Sequence, residues 1–279
     1  MLHTPLSDFG GLTKANLQQM VPHAFRETPS NPKLSGNYVH VPTYEVIDDL
    51  EKLGWYPMQA SQRKHRKADS IFTSHMVKFR NPDIKILGQE KDDSYPEIIL
   101  LNSHDGLSSF KFMIGLYRLV CSNGLIIATE QFADFKIKHM GYTFEELRAM
   151  VEGTVQELPN KLQILNEMKN TDLTQTQQEE FAIKGYLLRR GVVPTPEQTL
   201  QDTVDEGTVR AILEPQRESD KGSDLWVTYN KVQEAVINGG FNGALAGAKV
   251  RKVKKITNFH KDIQLNRQLF QLATEYLPA

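Results

Sequence analysis

A single cysteine, Cys121, excludes an internal disulfide and leaves no thiol cluster for zinc or an iron–sulfur centre. Long apolar runs are also missing. Stretches such as Leu125-Ile126-Ile127-Ala128 fall far short of the roughly 20 residues that span a bilayer. Met1 to Gly11 has neither a basic start nor an apolar core, so no signal peptide is expected and the cytoplasm is the expected compartment. No Gly-x-x-x-x-Gly-Lys-Ser/Thr or Gly-x-Gly-x-x-Gly spacing occurs, which removes the common phosphate-loop and dinucleotide fingerprints. Internal repeats and low-complexity tracts are absent. No cofactor is expected.

What remains is an ordinary globular composition: 279 residues, 39% hydrophobic, 24% charged and 9% aromatic. The formal net charge of −1 conceals a strong asymmetry. Residues 1–140 carry sixteen basic and fifteen acidic side chains, residues 141–239 ten and seventeen, and residues 240–279 seven and two. A basic end joined to an acidic middle suits a polyanion partner or self-association between unlike faces, although a solvated charged helix face gives the same count.

The hydrophobic pattern changes period near residue 140. Before it, short β-rich runs alternate with turn residues. These include 37–41, an extended stretch from Trp55 to Lys67, 71–79, the apolar Glu97–Asn102 segment, Phe110–Cys121 and 132–139. Ser122-Asn123-Gly124 is a hairpin turn signal, with 125–129 as the returning arm. Two short helices are expected in this half, one over 13–20 and one over 44–53 capped by Thr43. After it, Phe144, Leu147, Met150, Val151, Val155, Leu158, Leu162 and Leu165 recur at helical spacing. Further helices are expected at 174–190, 196–204, 224–237 and 258–277. The fold class is therefore α+β, with a twisted antiparallel sheet in the N-terminal half and a helical C-terminal half. The expected division is a strand-rich α+β domain, 1–140, and a helical region, 141–279, carrying a glycine-rich basic loop at 239–255.

Four features bear on chemistry. Asn102-Ser103-His104-Asp105-Gly106 follows the apolar strand, and His104 with Asp105 is a candidate metal or acid–base pair. Neighbours on an extended chain point to opposite faces, and Asp-Gly is equally an ordinary turn. Cys121 would need a base such as His104 or His139 to act as a nucleophile; a buried structural thiol is the simpler reading. Arg63-Lys64-His65-Arg66-Lys67 is a dense cationic run that suits phosphate contact or guards an exposed sheet edge.

Last, the glycine-rich stretch Gly239–Ala248 leads into Lys249, Arg251, Lys252, Lys254 and Lys255, five cations within seven residues. Such glycines let backbone approach a polymer, order on binding, or form a flexible hinge or a partner loop. Phe241 and His260 nearby are candidates for base stacking.

Read together, several segments resemble a known family. Val21–Phe25, Tyr38–Thr43, Pro96–Gly106 and Leu116–Gly124, with later landmarks Asp224–Tyr229, Gly239-Gly240 and Asp262–Arg267, resemble the bacterial domain-of-unknown-function 932 family, which includes the YafZ/YfjQ type. The resemblance implies a setting on prophages, plasmids and other mobile elements, and brings no catalytic residue with it.

The leading expectation is a nucleic-acid-binding protein of mobile-element DNA metabolism, oligomeric and acting on single-stranded DNA by binding or annealing. Arg63, Lys64, Arg66, Lys67, Lys249, Arg251, Lys252, Lys254 and Lys255 would contact phosphates. The alternative is a non-enzymatic interaction module that acts on a host defence or replication protein through its acidic helical middle. An enzymatic reading, a nuclease with a divalent metal at His104, Asp105 and His75, comes last because carboxylates and histidines are sparse.

Overall fold

The structure, a computed structural model, describes residues 11–28, 40, 42–63, 73–84, 94–103, 111–118, 124–126 and 143–278. The chain divides into two compact units, 1–158 and 159–279.

The first unit opens with helix α1 (Lys14–Met20). Thr13 and Asn16 satisfy each other's backbone N–H groups in a capping box. A 3₁₀ turn at Pro22–Phe25 follows. Helix α2 (Thr43–Lys52) buries Thr43, Val46, Ile47 and Leu50, and the chain leaves it through Gly54 at φ 83°. The expectation that Thr43 caps this helix is corrected. Pro42 holds the cap position without a side-chain bond, and Thr43 is the first helical residue, its hydroxyl engaged with the sheet.

Five antiparallel strands form a meander in chain order: β1 (Tyr56–Gln62), β2 (Ser74–Arg80), β3 (Ser94–Ser103), β4 (Lys111–Arg118) and β5 (Gly124–Ile126). The register sets Ala60 against Val77, Val77 against Leu100, and Leu100 against Phe112. Paired residues share a face, so these four side chains meet the helices as a block. They pack with Phe79, Ile98, Trp55, Leu17, Ala24, Val46, Leu50 and, from the start of the next helix, Leu147 and Val151. Each fully buried aliphatic or aromatic side chain contributes about 1.5–3 kcal/mol.

The opposite face is buried as well: Ile99 is fully enclosed, and Met76 and Met113 nearly so. Burial on both faces explains why the centre of β3, Ile98-Ile99-Leu100-Leu101, is an unbroken apolar run rather than an alternating one. Of segment 37–41 only His40 is described, and 132–139 and Cys121 lie outside the described residues.

Helix α3 (Phe144–Lys169) is the long helix that the spacing predicts, and the division between the units falls inside it, at Pro159. The second unit then packs four helices: α4 (Gln175–Arg190), α5 (Glu206–Leu213), α6 (Leu225–Asn238) and α7 (Phe259–Thr274). Each begins on a side-chain cap, respectively Thr174, Asp205, Asp224 and Asn258. Their core is Phe181, Tyr186, Tyr229, Val232, Leu269 and Phe270. Gly185 lets α4 approach closely, since a Cβ there would stand 2.6 Å from Val232 and 3.3 Å from Leu269.

The helix expected at 196–204 is absent. Leu200–Thr203 forms only a 3₁₀ turn, Val204 is extended and bridges to Leu245, and helix starts after the stronger cap Asp205. Among the described residues no helix is long and apolar enough to cross a membrane. The protein is α+β, with its antiparallel sheet in the N-terminal half and its helices dominating the C-terminal half.

Candidate nucleic-acid interface

Helix α6 stops at Gly239, whose φ of 63° favours glycine. A Cβ at this position would collide with the carbonyl of Val253. The chain turns back on itself as a small hairpin, β6 (Asn242–Gly243) against β7 (Arg251–Lys252). The ladder is extended by Gly240 N–H to Val253 C=O and Val253 N–H to Phe241 C=O, both 2.8 Å.

The connecting segment is tied down rather than loose. Ala244 N–H donates to the Thr208 hydroxyl at 2.9 Å, Asp205 N–H to Ala244 C=O at 3.2 Å, and Ala246 N–H to Thr203 C=O at 3.0 Å. On the exit side, Ile256 N–H reaches Ile237 C=O at 2.9 Å, and the Arg189 guanidinium donates to both Val236 C=O and Lys254 C=O. Burial lowers the pKa of that guanidinium, and Arg190 pushes the same way against an opposing effect of Tyr186. The glycine-rich stretch is thus a hairpin held by backbone hydrogen bonds to its neighbours.

On this frame Lys249, Arg251, Lys252, Lys254 and Lys255 are all exposed, while Val253 between them is buried and anchors the strand. From residue 235 to residue 261 the chain carries six basic side chains and no acidic one. None of the five pairs with a carboxylate among the described residues. Several exposed cations elsewhere are matched locally: Arg148 with Glu152 at 2.8 Å, Arg210 with Glu206 at 3.1 Å, Lys221 with Glu218 at 2.7 Å and Lys52 with Asp49 at 2.7 Å. Arg63, Arg190 and Lys261 stand singly without a carboxylate partner among the described residues. The hairpin is therefore a fixed concentration of uncompensated positive charge.

The other residues singled out from sequence fall in different places. Phe241 is half-buried, its ring 6.3 Å from that of Tyr186, so much of it is spent on packing. His260 is exposed on the first turn of α7, its ring 4.4 Å from that of Phe259. Arg63 is exposed just after β1, in the first unit, with its N–H on Ser74 C=O at 2.9 Å. Lys64, Arg66, Lys67, His104 and Asp105 lie outside the described residues. His75 is fully buried with Nε2 2.8 Å from the Thr43 hydroxyl, which also accepts from Asn102 Nδ2 at 2.9 Å. Among the described residues no group of three or more His, Cys, Asp or Glu side chains is placed to hold a metal.

Three polar arrangements escaped the sequence reading. One is the Thr43–His75–Asn102 cluster. A second is a buried charge cluster on the other sheet face, where Arg80 meets Glu97 at 2.8 Å and Lys78 stands 3.8 Å away. The parity of Lys78 and Arg80 within β2, opposite Ile99 and Glu97, carries that signal once the register is known. The third is a cavity of about 340 Å³ beside the hairpin base, lined in part by Asp220, Lys231, Glu234, Gly240 and Phe241. Arg217 grips Glu234 there through two 2.6 Å bonds. Burial lowers the pKa of Lys231, against the opposing fields of Asp220 and Asp224.

The family of domain of unknown function DUF932 matches residues 33–270. The chain belongs to the DUF932 family. The UPF0380 proteins YafZ and YfjQ of Escherichia coli (strain K12) are each 31% identical to it over 270 residues, covering 95% of this chain and 92% of theirs. No solved structure matches significantly. The five strands and the hairpin fall inside the DUF932 match.

Proposed function

We propose that this protein binds nucleic acid through the β6–β7 hairpin of its second unit. One observation carries the reading: five exposed cations, unpaired with carboxylate among the described residues, sit on a backbone fixed at both ends. Lys and Arg that are already neutralised by neighbouring carboxylates have little to offer a phosphate, whereas unpaired ones displace condensed counterions on contact. The fixed hairpin lowers the ordering cost of binding. Arg63, in the first unit, is a second and separate phosphate contact in this proposal. The mobile-element setting implied by the family resemblance fits DNA as the polyanion, met in the cytoplasm.

The test is a salt series on a labelled oligonucleotide with the full chain and a variant in which Lys249, Arg251, Lys252, Lys254 and Lys255 are replaced by Ala. The hairpin's five contacts on a duplex contribute about −4.5 to the log–log slope, a contribution that falls by about one for each of them removed. Binding that ignores salt, or that survives in the fivefold variant with unchanged slope, sinks the proposal.

A further inference from the structure

We infer that the nucleic acid taken by the hairpin is double-stranded; the inference rests on the nucleic-acid reading above and names its substrate class. A single-strand site needs two things: cations along the backbone, and exposed ring faces on which unstacked bases settle, worth about 1–3 kcal/mol per base. The hairpin supplies the first, and its rings are engaged elsewhere. Phe241 leans on Tyr186, Tyr186 is fully buried, Phe259 is 6% exposed, and the exposed His260 has Phe259 against it. The segment between the strands is Ala244-Leu245-Ala246-Gly247-Ala248-Lys249-Val250, whose side chains carry no π-face.

The positive features point to a duplex. A two-stranded ribbon has the width that a major groove admits. Cations on a fixed backbone meet a phosphate lattice that is itself stiff, so neither side must be ordered at the moment of contact. Exposed Asn242, directly across from Lys252, places an amide beside the cations, the side chain suited to an adenine edge. Counterion release also favours the duplex, at about 0.9 per contact against about 0.7 for a single strand. Over five contacts that is one unit of slope. From a common affinity at about 1 M salt it becomes about tenfold at about 0.1 M.

The experiment titrates the full chain into a duplex and into either of its strands, at matched length, across the same salt series. The expected result is duplex binding about tenfold tighter at about 0.1 M salt, with the steeper slope. Equal or tighter single-strand binding overturns this inference and leaves the nucleic-acid reading standing. No binding to either form overturns both. His260→Ala supplies an independent check. Duplex affinity within about twofold of the parent is expected, while a tenfold loss at unchanged salt slope shows base stacking and also overturns the inference.

Discussion

Arg189 and Lys254 are 65 positions apart and meet through a hydrogen bond from the Arg189 guanidinium to the Lys254 carbonyl. The same guanidinium holds the carbonyl of Val236, in the last turn of α6. One side chain of α4 thus clamps the end of one element and the strand that leaves the hairpin. Its task is geometric, because its donors are used inside the protein. Arg189→Met is expected to destabilise the second unit by about 3–6 kcal/mol, since its two bonds from a charged donor are worth about 1.5–3 kcal/mol each. Arg189→Lys, which reaches one carbonyl, should cost less. Nucleic-acid affinity should fall while the salt slope stays at the parent value. A slope reduced by about one would instead make Arg189 a phosphate contact.

Gly239 and Gly247 separate two reasons for glycine in the hairpin. Both have positive φ, 63° and 69°, but a Cβ at Gly239 strikes the Val253 carbonyl whereas one at Gly247 meets nothing within 4 Å. Gly247→Ala is expected to cost only the strain of the left-handed conformation, about 1–2 kcal/mol. Gly239→Ala should cost at least twice as much, because the strand must move away and with it the bond from Gly240 to Val253. Urea unfolding of the two variants settles the comparison. Equal costs would mean that the close approach is not what fixes Gly239.

Much of this architecture was legible in the chain, and the gaps have physical causes. The period change near residue 140 located the transition from sheet to helices, and caps such as Thr13, Thr174 and Asp224 match the expected starts. The helix expected at 196–204 failed because Val204 pairs with Leu245, 41 positions later, and no local pattern announces that bridge. The cationic run 249–255 was visible as composition. That it forms a clamped hairpin was not, because the clamp comes from Arg189 on another element. Thr43 looked like a cap by its position, and only the pairing of His75 with Asn102 shows what its hydroxyl does.

That hydroxyl lies fully buried between His75 and Asn102, at 2.8 and 2.9 Å. Thr43→Val keeps the shape and deletes the shared partner of two buried polar groups. A loss of about 2–6 kcal/mol is expected, at about 1–3 kcal/mol for each of the two groups that loses a bond. Thr43→Ser retains the hydroxyl and should recover most of it. If Val and Ser cost the same, the effect is packing at the start of α2 rather than hydrogen bonding.

On the opposite sheet face, Glu97 is fully buried and accepts from Arg80 at 2.8 Å, with Lys78 at 3.8 Å. Removing one partner of a buried ion pair leaves the others uncompensated, at a cost of about 3–5 kcal/mol. Glu97→Gln is therefore expected to destabilise the first unit by that amount. Glu97→Gln combined with Lys78→Met should cost less than Glu97→Gln alone, because one stranded cation goes with the carboxylate. A double variant that costs the sum of its singles would show that Lys78 is held by packing and not by Glu97.

Lys231 provides a test in pH. It is buried against the cavity wall, donates to Gly222 C=O at 3.4 Å, and faces Asp220 and Asp224, with Glu234 and its partner Arg217 close by. Burial holds its folded-state pKa below the ordinary value of 10.5. Below both values the lysine is charged in folded and unfolded chains alike, and the folded protein carries the full desolvation penalty. As pH rises through the folded-state value, the native protein releases its proton first, so the unfolded chain binds more protons and stability increases up to about the ordinary value. Urea unfolding of the parent and of Lys231→Met is expected to show this as a difference that grows in the parent's favour with alkaline pH. A flat difference would mean that the ammonium is solvated through the cavity. A falling one would mean that Asp220 and Asp224 outweigh the burial.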